Sequence, residues 1–354
     1  PKDNRGRTVK TYLFKANRTT KVRQVLWGDW LNIDGEEADG WLRVNWAPNS
    51  DNPETLFIPK DHTSDTRPLE IIFLDVGQGD GAVLITPERD DGEAVIVIDA
   101  GDNTNMHTFL SKRFGAYRQD FQFHAAIITH PDEDHYGGFD SIFSTPHFGF
   151  NTVYHNGLAE RPVSGTFEKV GGHAKDAATG IRYISDLAVG KPEIEALFAD
   201  GIDVGNFVFP NVMQAALKNP KINDFQMLST EHGVKENQRT WMPGFAPSDN
   251  RGYSIEVVGP VVEFDGTGKP RLRKIGSYGE TKNGHSVLLR LHYEKFKVLF
   301  GGDLNDKEEK FLLRHYTGKS RMPQKGSDAY QEMIDEAANW FRSDIMKVCH
   351  HGSE

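Results

Sequence analysis

Ala125-Ala126-Ile127-Ile128-Thr129-His130-Pro131-Asp132-Glu133-Asp134-His135-Tyr136-Gly137-Gly138 is the stretch whose reading decides the fold. Its apolar, β-branched beginning is that of a strand buried on both faces. Residues 130–135 then hold two imidazoles and three carboxylates. Ionisable groups at this density on the edge of a buried sheet are costly unless a cation compensates them. A loop here can aim alternate side chains at one point, with His130 and Asp132 toward one ion and Asp134 and His135 toward a second. The pattern gains weight because it recurs at Ile98-Asp99-Ala100-Gly101-Asp102, Phe300-Gly301-Gly302-Asp303 and Val348-Cys349-His350-His351-Gly352-Ser353. Four strands thus end in Asp or His, where an α/β sheet gathers its ligand site.

Around this stretch, residues 69–76, 81–86, 94–99 and 125–129 read as β-branched strands, with a helix over 104–114. The expected result is a layered α/β arrangement. Residues 158–250 are less regular and read as an insertion, with helices at 177–187 and 193–199. Strands return at 253–258, 286–292 and 297–300, followed by helices over 306–315 and 328–342 and a last strand over 344–349. The first 62 residues differ: short apolar runs are separated by Gly28-Asp29, Asp34-Gly35, Asp39-Gly40 and Pro48-Asn49, which predicts a small all-β barrel. Residues 63–68 read as a linker.

The 354 residues are 37% hydrophobic and 26% charged, an ordinary globular composition. No apolar run approaches the roughly 18–20 residues that cross a bilayer, so no membrane role is expected. The single cysteine, Cys349, excludes an internal disulfide and a thiolate metal cluster within one chain, and fits a reducing cytoplasm. A net charge of −10 argues against a generally basic nucleic-acid clamp, though not against an enzyme that meets phosphates through metal ions. Gly77-Gln78-Gly79-Asp80-Gly81 lacks the spacing of a dinucleotide fingerprint and reads as a tight hairpin, with Asp75 and Asp80 supporting the ligand loop. Residues 269–274, Lys-Pro-Arg-Leu-Arg-Lys, are the densest basic patch.

Taken together, Phe73-Leu74-Asp75-Val76-Gly77-Gln78-Gly79-Asp80, Ile98-Asp99-Ala100-Gly101, the loop 130–138, Asn283-Gly284-His285-Ser286, Leu299-Phe300-Gly301-Gly302-Asp303 and His350-His351-Gly352-Ser353 resemble the metallo-β-lactamase superfamily, in its ComEC-like (competence DNA-uptake) branch. The order of parts over residues 8–60 resembles a bacterial SH3-like domain. The resemblance implies a four-layer αββα domain over residues 69–354, preceded by the SH3-like barrel of residues 1–62, and a fold that continues past the His350-His351 turn. It implies one or two divalent metals, zinc or manganese. His130, Asp132, Asp134, His135, Asp303 and His350 would be ligands, with His351 adjacent or exchanging roles with His350. The middle histidine of the superfamily has no clear counterpart; Lys282 or Asn283 falls near its place, with His285 a substitute. Asp134 would take a proton, and His285 or His351 would protonate the leaving group. Asp75, Asp80, Asp99, His155, Asn283 and Ser353 are supporting or substrate-binding candidates. The activity expected is that of a metal-dependent hydrolase, a phosphodiesterase or nuclease, on a phosphate-containing substrate. A lactone, ester or amide hydrolase is the second reading. A binding protein working on a peptide through the SH3-like module is the third.

Overall fold

Alternating apolar residues build the first unit. In the computed structural model, which describes residues 9–89, 92–116 and 118–352, it consists of β1 (Thr11–Phe14), β2 (Lys21–Val25), β3 (Ile33–Glu36), β4 (Trp41–Trp46) and β5 (Glu54–Pro59). These strands pair antiparallel in the order β2-β1-β5-β4-β3. Leu13, Val25, Leu42, Val44, Leu56 and Ile58 form their core.

The chain then lays down β6 (Glu70–Phe73), β7 (Gly81–Ile85), β8 (Val95–Ala100), α1 (Asn105–Leu110), β9 (Phe121–Ile128), α2 (Glu133–Tyr136), α3 (Phe139–Phe143) and β10 (Phe148–His155). Next come β11 (Ala174–Lys175), β12 (Arg182–Ile184), α4 (Lys191–Phe198), α5 (Val208–Lys218) and β13 (Ile222–Met227). A six-stranded sheet results, ordered β13-β10-β9-β8-β7-β6. Its β8, β9, β10 and β13 run parallel. Helices join them, as parallel neighbours require long crossovers. The remainder comprises β14 (Val234–Glu236), β15 (Arg239–Trp241), β16 (Tyr253–Gly259), β17 (Glu263–Phe264), β18 (Pro270–Arg273), α6 (Tyr278–Gly284), β19 (Leu288–Tyr293), β20 (Phe296–Phe300), α7 (Asp306–Tyr316), α8 (Asp328–Phe341) and β21 (Ile345–Lys347). It forms a second six-stranded sheet, β14-β15-β16-β19-β20-β21, while β11-β12-β18-β17 make a small one.

The period-two pattern of the strands explains the layering. On β7, Val83 and Ile85 face α1, α3 and α5, packing with Met106, Leu110, Phe139, Phe143 and Val212. Ala82 and Leu84, on the other face, meet Ile255, Val257, Leu289, Leu291 and Phe300 of the second sheet. That sheet turns Val258, Leu288 and Leu299 outward onto Phe311 and Leu312 of α7. The order helix, sheet, sheet, helix is the four-layer αββα arrangement.

Residues 158–250, expected as an insertion, instead supply α4, α5 and β13 to the first sheet and its helical cover. Residues 177–187 hold the strand β12 in place of the expected helix. Tyr183 and Ile184 there are buried against β18, and pairing with that strand outweighs local helical preference. The first unit is tied to the second: Arg113, which also donates to Glu70 Oε2 (3.2 Å) within its own unit, donates to Asp29 Oδ1 (2.7 Å) and Gly28 O (3.2 Å), and Asn49 N donates to Ala116 O (3.0 Å). Among the described residues no helix is long and apolar enough to cross a membrane.

Candidate metal centre

The loops that leave β8, β9, β20 and β21 meet at one edge of the two stacked sheets. His130 and His135 are wholly buried, Asp99 and Asp303 nearly so. His135 Nε2 lies 3.2 Å from Asp303 Oδ1 and 4.0 Å from Asp134 Oδ1. His351 Nε2 lies 3.3 Å from Asp134 Oδ2 and 3.4 Å from Asp303 Oδ2. His130 Nε2 is 3.6 Å from Asp132 Oδ2 and 3.9 Å from Asp303 Oδ2. Asp80, His135, Asp303 and His351 can each bring a donor atom within 4.8 Å of the others.

Two carboxylates stand behind the imidazoles. Asp99 Oδ2 is 2.8 Å from His135 Nδ1, and Asp80 Oδ1 is 3.2 Å from His351 Nδ1. With each Nδ1–H held this way, both Nε2 atoms face Asp303, the second arrangement that metal-ligating histidines use. Asp99 also accepts from Thr129 N (2.8 Å) and Thr129 Oγ1 (2.7 Å), which anchors the start of the ligand loop. Lys347 pairs with Asp80. Ser286 Oγ accepts from Asp303 N (3.1 Å), stands 3.3 Å from His130 Nδ1, and so ties two of the loops.

Glycines allow the close approaches. Asp80 N donates to Asp134 O (3.2 Å), and a Cβ on Gly79 would stand 1.6 Å from that same oxygen. Gly138 N donates to Gly101 O (2.8 Å), and a Cβ on Gly138 would stand 2.2 Å from Ala100 O.

His130 Nε2, His135 Nε2 and Asp303 Oδ1 are buried without a well-aligned hydrogen bond, although His135 Nε2 and Asp303 Oδ1 face each other at 3.2 Å. Three such polar atoms aimed at one place are what a cation would satisfy, and the imidazole and carboxylate donor set suits zinc or manganese. The charge balance agrees. Burial works against a proton on His135, yet Asp99 and Asp303 outweigh it and hold the ring up at about 10. The carboxylates thus draw positive charge into the site. Burial and the neighbouring His135 keep His130 below its ordinary value.

Asp132 is differently placed. Lys282 Nζ pairs with its Oδ1 and also donates to Pro131 O (3.1 Å) and Glu160 Oε1 (3.0 Å). With its amide turned to donate, Asn283 gives Oδ2 a hydrogen bond of 2.7 Å. Burial would raise the Asp132 carboxyl, but His130 and Lys282 hold it far below the carboxylate range.

Of the remaining expected residues, His350 donates its backbone N–H to Gly302 O (3.2 Å), and the ring that meets Asp80, Asp134 and Asp303 is that of His351. Asp75 is exposed and accepts from Gly77 N (3.1 Å) in its own turn. His155 is buried at the end of β10, where its Nδ1 accepts from Gly157 N (3.1 Å). His285 does not reach the cluster: it is wholly buried, its Nε2 lies 2.7 Å from Arg273 O and its Nδ1 3.9 Å from Glu308 Oε1, which keeps it from any leaving group. Ser353 lies outside the described residues. Glu160, Ser286 and the ammonium of Lys282 are participants that the sequence reading did not assign. Only the position of Lys282 near the absent middle histidine pointed to one of them.

Two predictions arise here. Asp99→Asn leaves His135 without its carboxylate partner, and metal affinity should fall about 10–100-fold in a chelator competition. The second concerns acid stability. Burial lowers His285 and His155 to about 4, against roughly 6.5 in the unfolded chain. Between those values the unfolded state binds protons that the folded state refuses. Stability is therefore complete above about pH 6.5 and falls with pH, by about 1.4 kcal/mol per unit for each histidine. Glu308, whose carboxyl burial pushes well above its usual value, contributes to the pH dependence with the opposite sign in both wild type and variant. Urea denaturation at pH 7 and pH 4.5 should show His285→Gln losing less stability than wild type, by about 3 kcal/mol at most.

Residues 82–212, which carry β7 through the first five residues of α5 and include the ligand loop, match the family model of the metallo-beta-lactamase superfamily. Among solved structures, the chain is similar to zinc-bound PqqB from Methylobacterium extorquens, with 11% identity and a TM-score of 0.28 over 68% of this chain and 57% of that one. The chain thus spans little more than half the length of that protein. No curated protein matches.

Proposed function

We propose that the chain is a metal-dependent hydrolase that cleaves phosphodiester bonds in a nucleic acid or nucleotide. The observation that carries this reading is the convergence of buried His135 Nε2 and Asp303 Oδ1 with Asp134 and His351. His135, His351, Asp134 and Asp303 would hold the ion. Bound there, a divalent cation supplies Lewis acidity to water and to the phosphoryl oxygen. Asp99 and Asp80 fix the two imidazoles, and the buried wall formed by His130 and Asp303 excludes bulk water from one side. Asp134 is a more open carboxylate, with Oδ2 accepting from Gln78 Nε2 (3.1 Å), and the oxygen it does not give to the ion would take the proton of the attacking water.

A groove between the end of β18 and α7 supports a phosphate-bearing substrate. It is lined by Arg273, Lys274, Lys307, Lys310 and Arg314, of which Arg273 pairs with Glu263, Lys307 with Glu280 (2.7 Å) and Lys310 with Asp306 (2.6 Å), so its positive charge is partly neutralised. Helix α7 begins three residues after Asp303, so Lys307, Lys310 and Arg314 belong to the element that leaves the centre. The basic run 269–274 lies beside it, though Lys269 pairs with Asp186 (3.1 Å) and Arg271 with Asp176 (2.7 Å). The test is turnover of bis-p-nitrophenyl phosphate, single-stranded DNA, cyclic dinucleotides and lactones with added manganese or zinc. Phosphodiester cleavage abolished by chelator is the expected result. Turnover confined to lactones, or none at all, would refute the reading.

A further inference from the structure

We infer that Lys282 is a built-in cation that takes the place of a second metal ion, so that the centre holds one ion per chain. The inference rests on the metal-dependent reading above and goes further, because it fixes the count of ions and the residue that sets it.

A two-ion centre would need His130, Asp132 and Asp303 to bind an ion beside the one held by His135, Asp134, Asp303 and His351. His130 Nε2 on the first side and His135 Nε2 and Asp303 Oδ1 on the second are all buried without a well-formed hydrogen bond, so the two sides differ at their carboxylates. On the first side the key carboxylate is already satisfied at both oxygens. The Lys282 ammonium pairs with Asp132 Oδ1, and the Asn283 amide donates to Oδ2 at 2.7 Å. A carboxylate whose charge an ammonium offsets, and whose two oxygens each already accept a hydrogen bond, is a poor ligand for a divalent ion.

Nor is the lysine a loose surface chain that an ion would push aside. Helix α6 carries it, and its side chain is only 11% exposed. It donates to Pro131 O at 3.1 Å and to Glu160 Oε1 at 3.0 Å. Glu160 is itself held by the Tyr278 hydroxyl at 2.6 Å, and the Tyr278 ring lies 4.7 Å from the ammonium. Three oxygens and a ring face thus hold the positive charge beside Asp132. Displacing it would leave Glu160 and Asp132 as uncompensated carboxylates in a largely buried site. His130 Nε2 and a share of Asp303 are what remain on this side, a donor pair with an ammonium for a neighbour.

The experiment loads the purified 354-residue chain with manganese, removes the excess, and counts metal by mass spectrometry alongside the electron paramagnetic resonance spectrum. Wild type should bind about one manganese per chain with an uncoupled spectrum. Lys282→Gln should bind about two, with the broadened spectrum of an exchange-coupled pair, while Lys282→Arg should stay at one. Two ions in wild type, or one ion in a folded Lys282→Gln, would overturn the inference and leave the hydrolase reading intact. No ion in wild type would remove the metal reading itself. Should circular dichroism show Lys282→Gln to be unfolded, the wild-type count and Lys282→Arg decide alone: one uncoupled ion in each supports the inference, two in either overturns it.

Discussion

Asp303→Asn should abolish metal-dependent turnover while leaving the chain folded. Asp303 sits at the focus of the centre, within 3.2 Å of His135 Nε2, 3.4 Å of His351 Nε2 and 3.9 Å of His130 Nε2. Burial alone would raise its carboxyl, but the surrounding imidazoles hold it below the usual range, so its negative charge is kept for a cation. Asparagine has the same shape and keeps the backbone N–H that donates to Ser286 Oγ, so the loop between β20 and α7 has no reason to move. What disappears is the anionic donor. A fall of about 10³-fold in kcat/KM corresponds to about 4 kcal/mol of lost transition-state stabilisation. Steady-state kinetics with saturating metal would measure it, with far-UV circular dichroism unchanged. Turnover near the wild-type rate would remove Asp303 from the centre.

Gly79→Ala should be the most damaging small substitution. The residue has φ +92°, and an added Cβ would lie 1.6 Å from Asp134 O and 2.8 Å from Asp134 Cβ. No rotamer relieves a clash with backbone, so either the 75–80 turn or the ligand loop must move, and the Asp80 N to Asp134 O hydrogen bond breaks with it. A stability loss above about 3 kcal/mol is expected from the strain and the lost docking together. Gly40→Ala separates the two causes. Gly40 has φ +79° with nothing within 4 Å of the added carbon, so it incurs only the backbone term of about 1 kcal/mol. Urea denaturation of the pair, with manganese titration of Gly79→Ala, would measure both stability and damage to the centre.

The strands that build the two stacked sheets were legible because their side chains obey a period of two and are buried on both faces, as on β8, where all six residues are buried. The ends of those strands were legible as a site because carboxylates and imidazoles are out of place at the edge of an apolar sheet. Other features were hidden for a common reason: they depend on contacts distant in sequence. β12 reads as helical until β18, 86 or more residues further on, supplies its partner. Residues 222–227 carry no sign that they continue the first sheet, because only the register against β10 places them there. His350 and His351 are adjacent in sequence, and only the fold brings the ring of His351 to Asp80, Asp134 and Asp303. His285 follows the same logic, since the carbonyl of Arg273 claims its ring. Lys282 offers the strongest case. Its ammonium acquires meaning only from Glu160, Asp132 and Pro131, each more than 120 residues away.

The guanidinium of Arg113 has a consequence for anyone who divides this protein. It reaches from the helical layer of the larger unit to Asp29 and to the carbonyl of Gly28 in the turn between β2 and β3, with Glu70 closing the third side. Excising residues 1–62 would leave that cation and Glu70 facing solvent without their third partner, along with the Ala116 carbonyl that Asn49 N caps. The two halves are therefore not interchangeable modules, and heating the whole chain should melt them in a single cooperative transition.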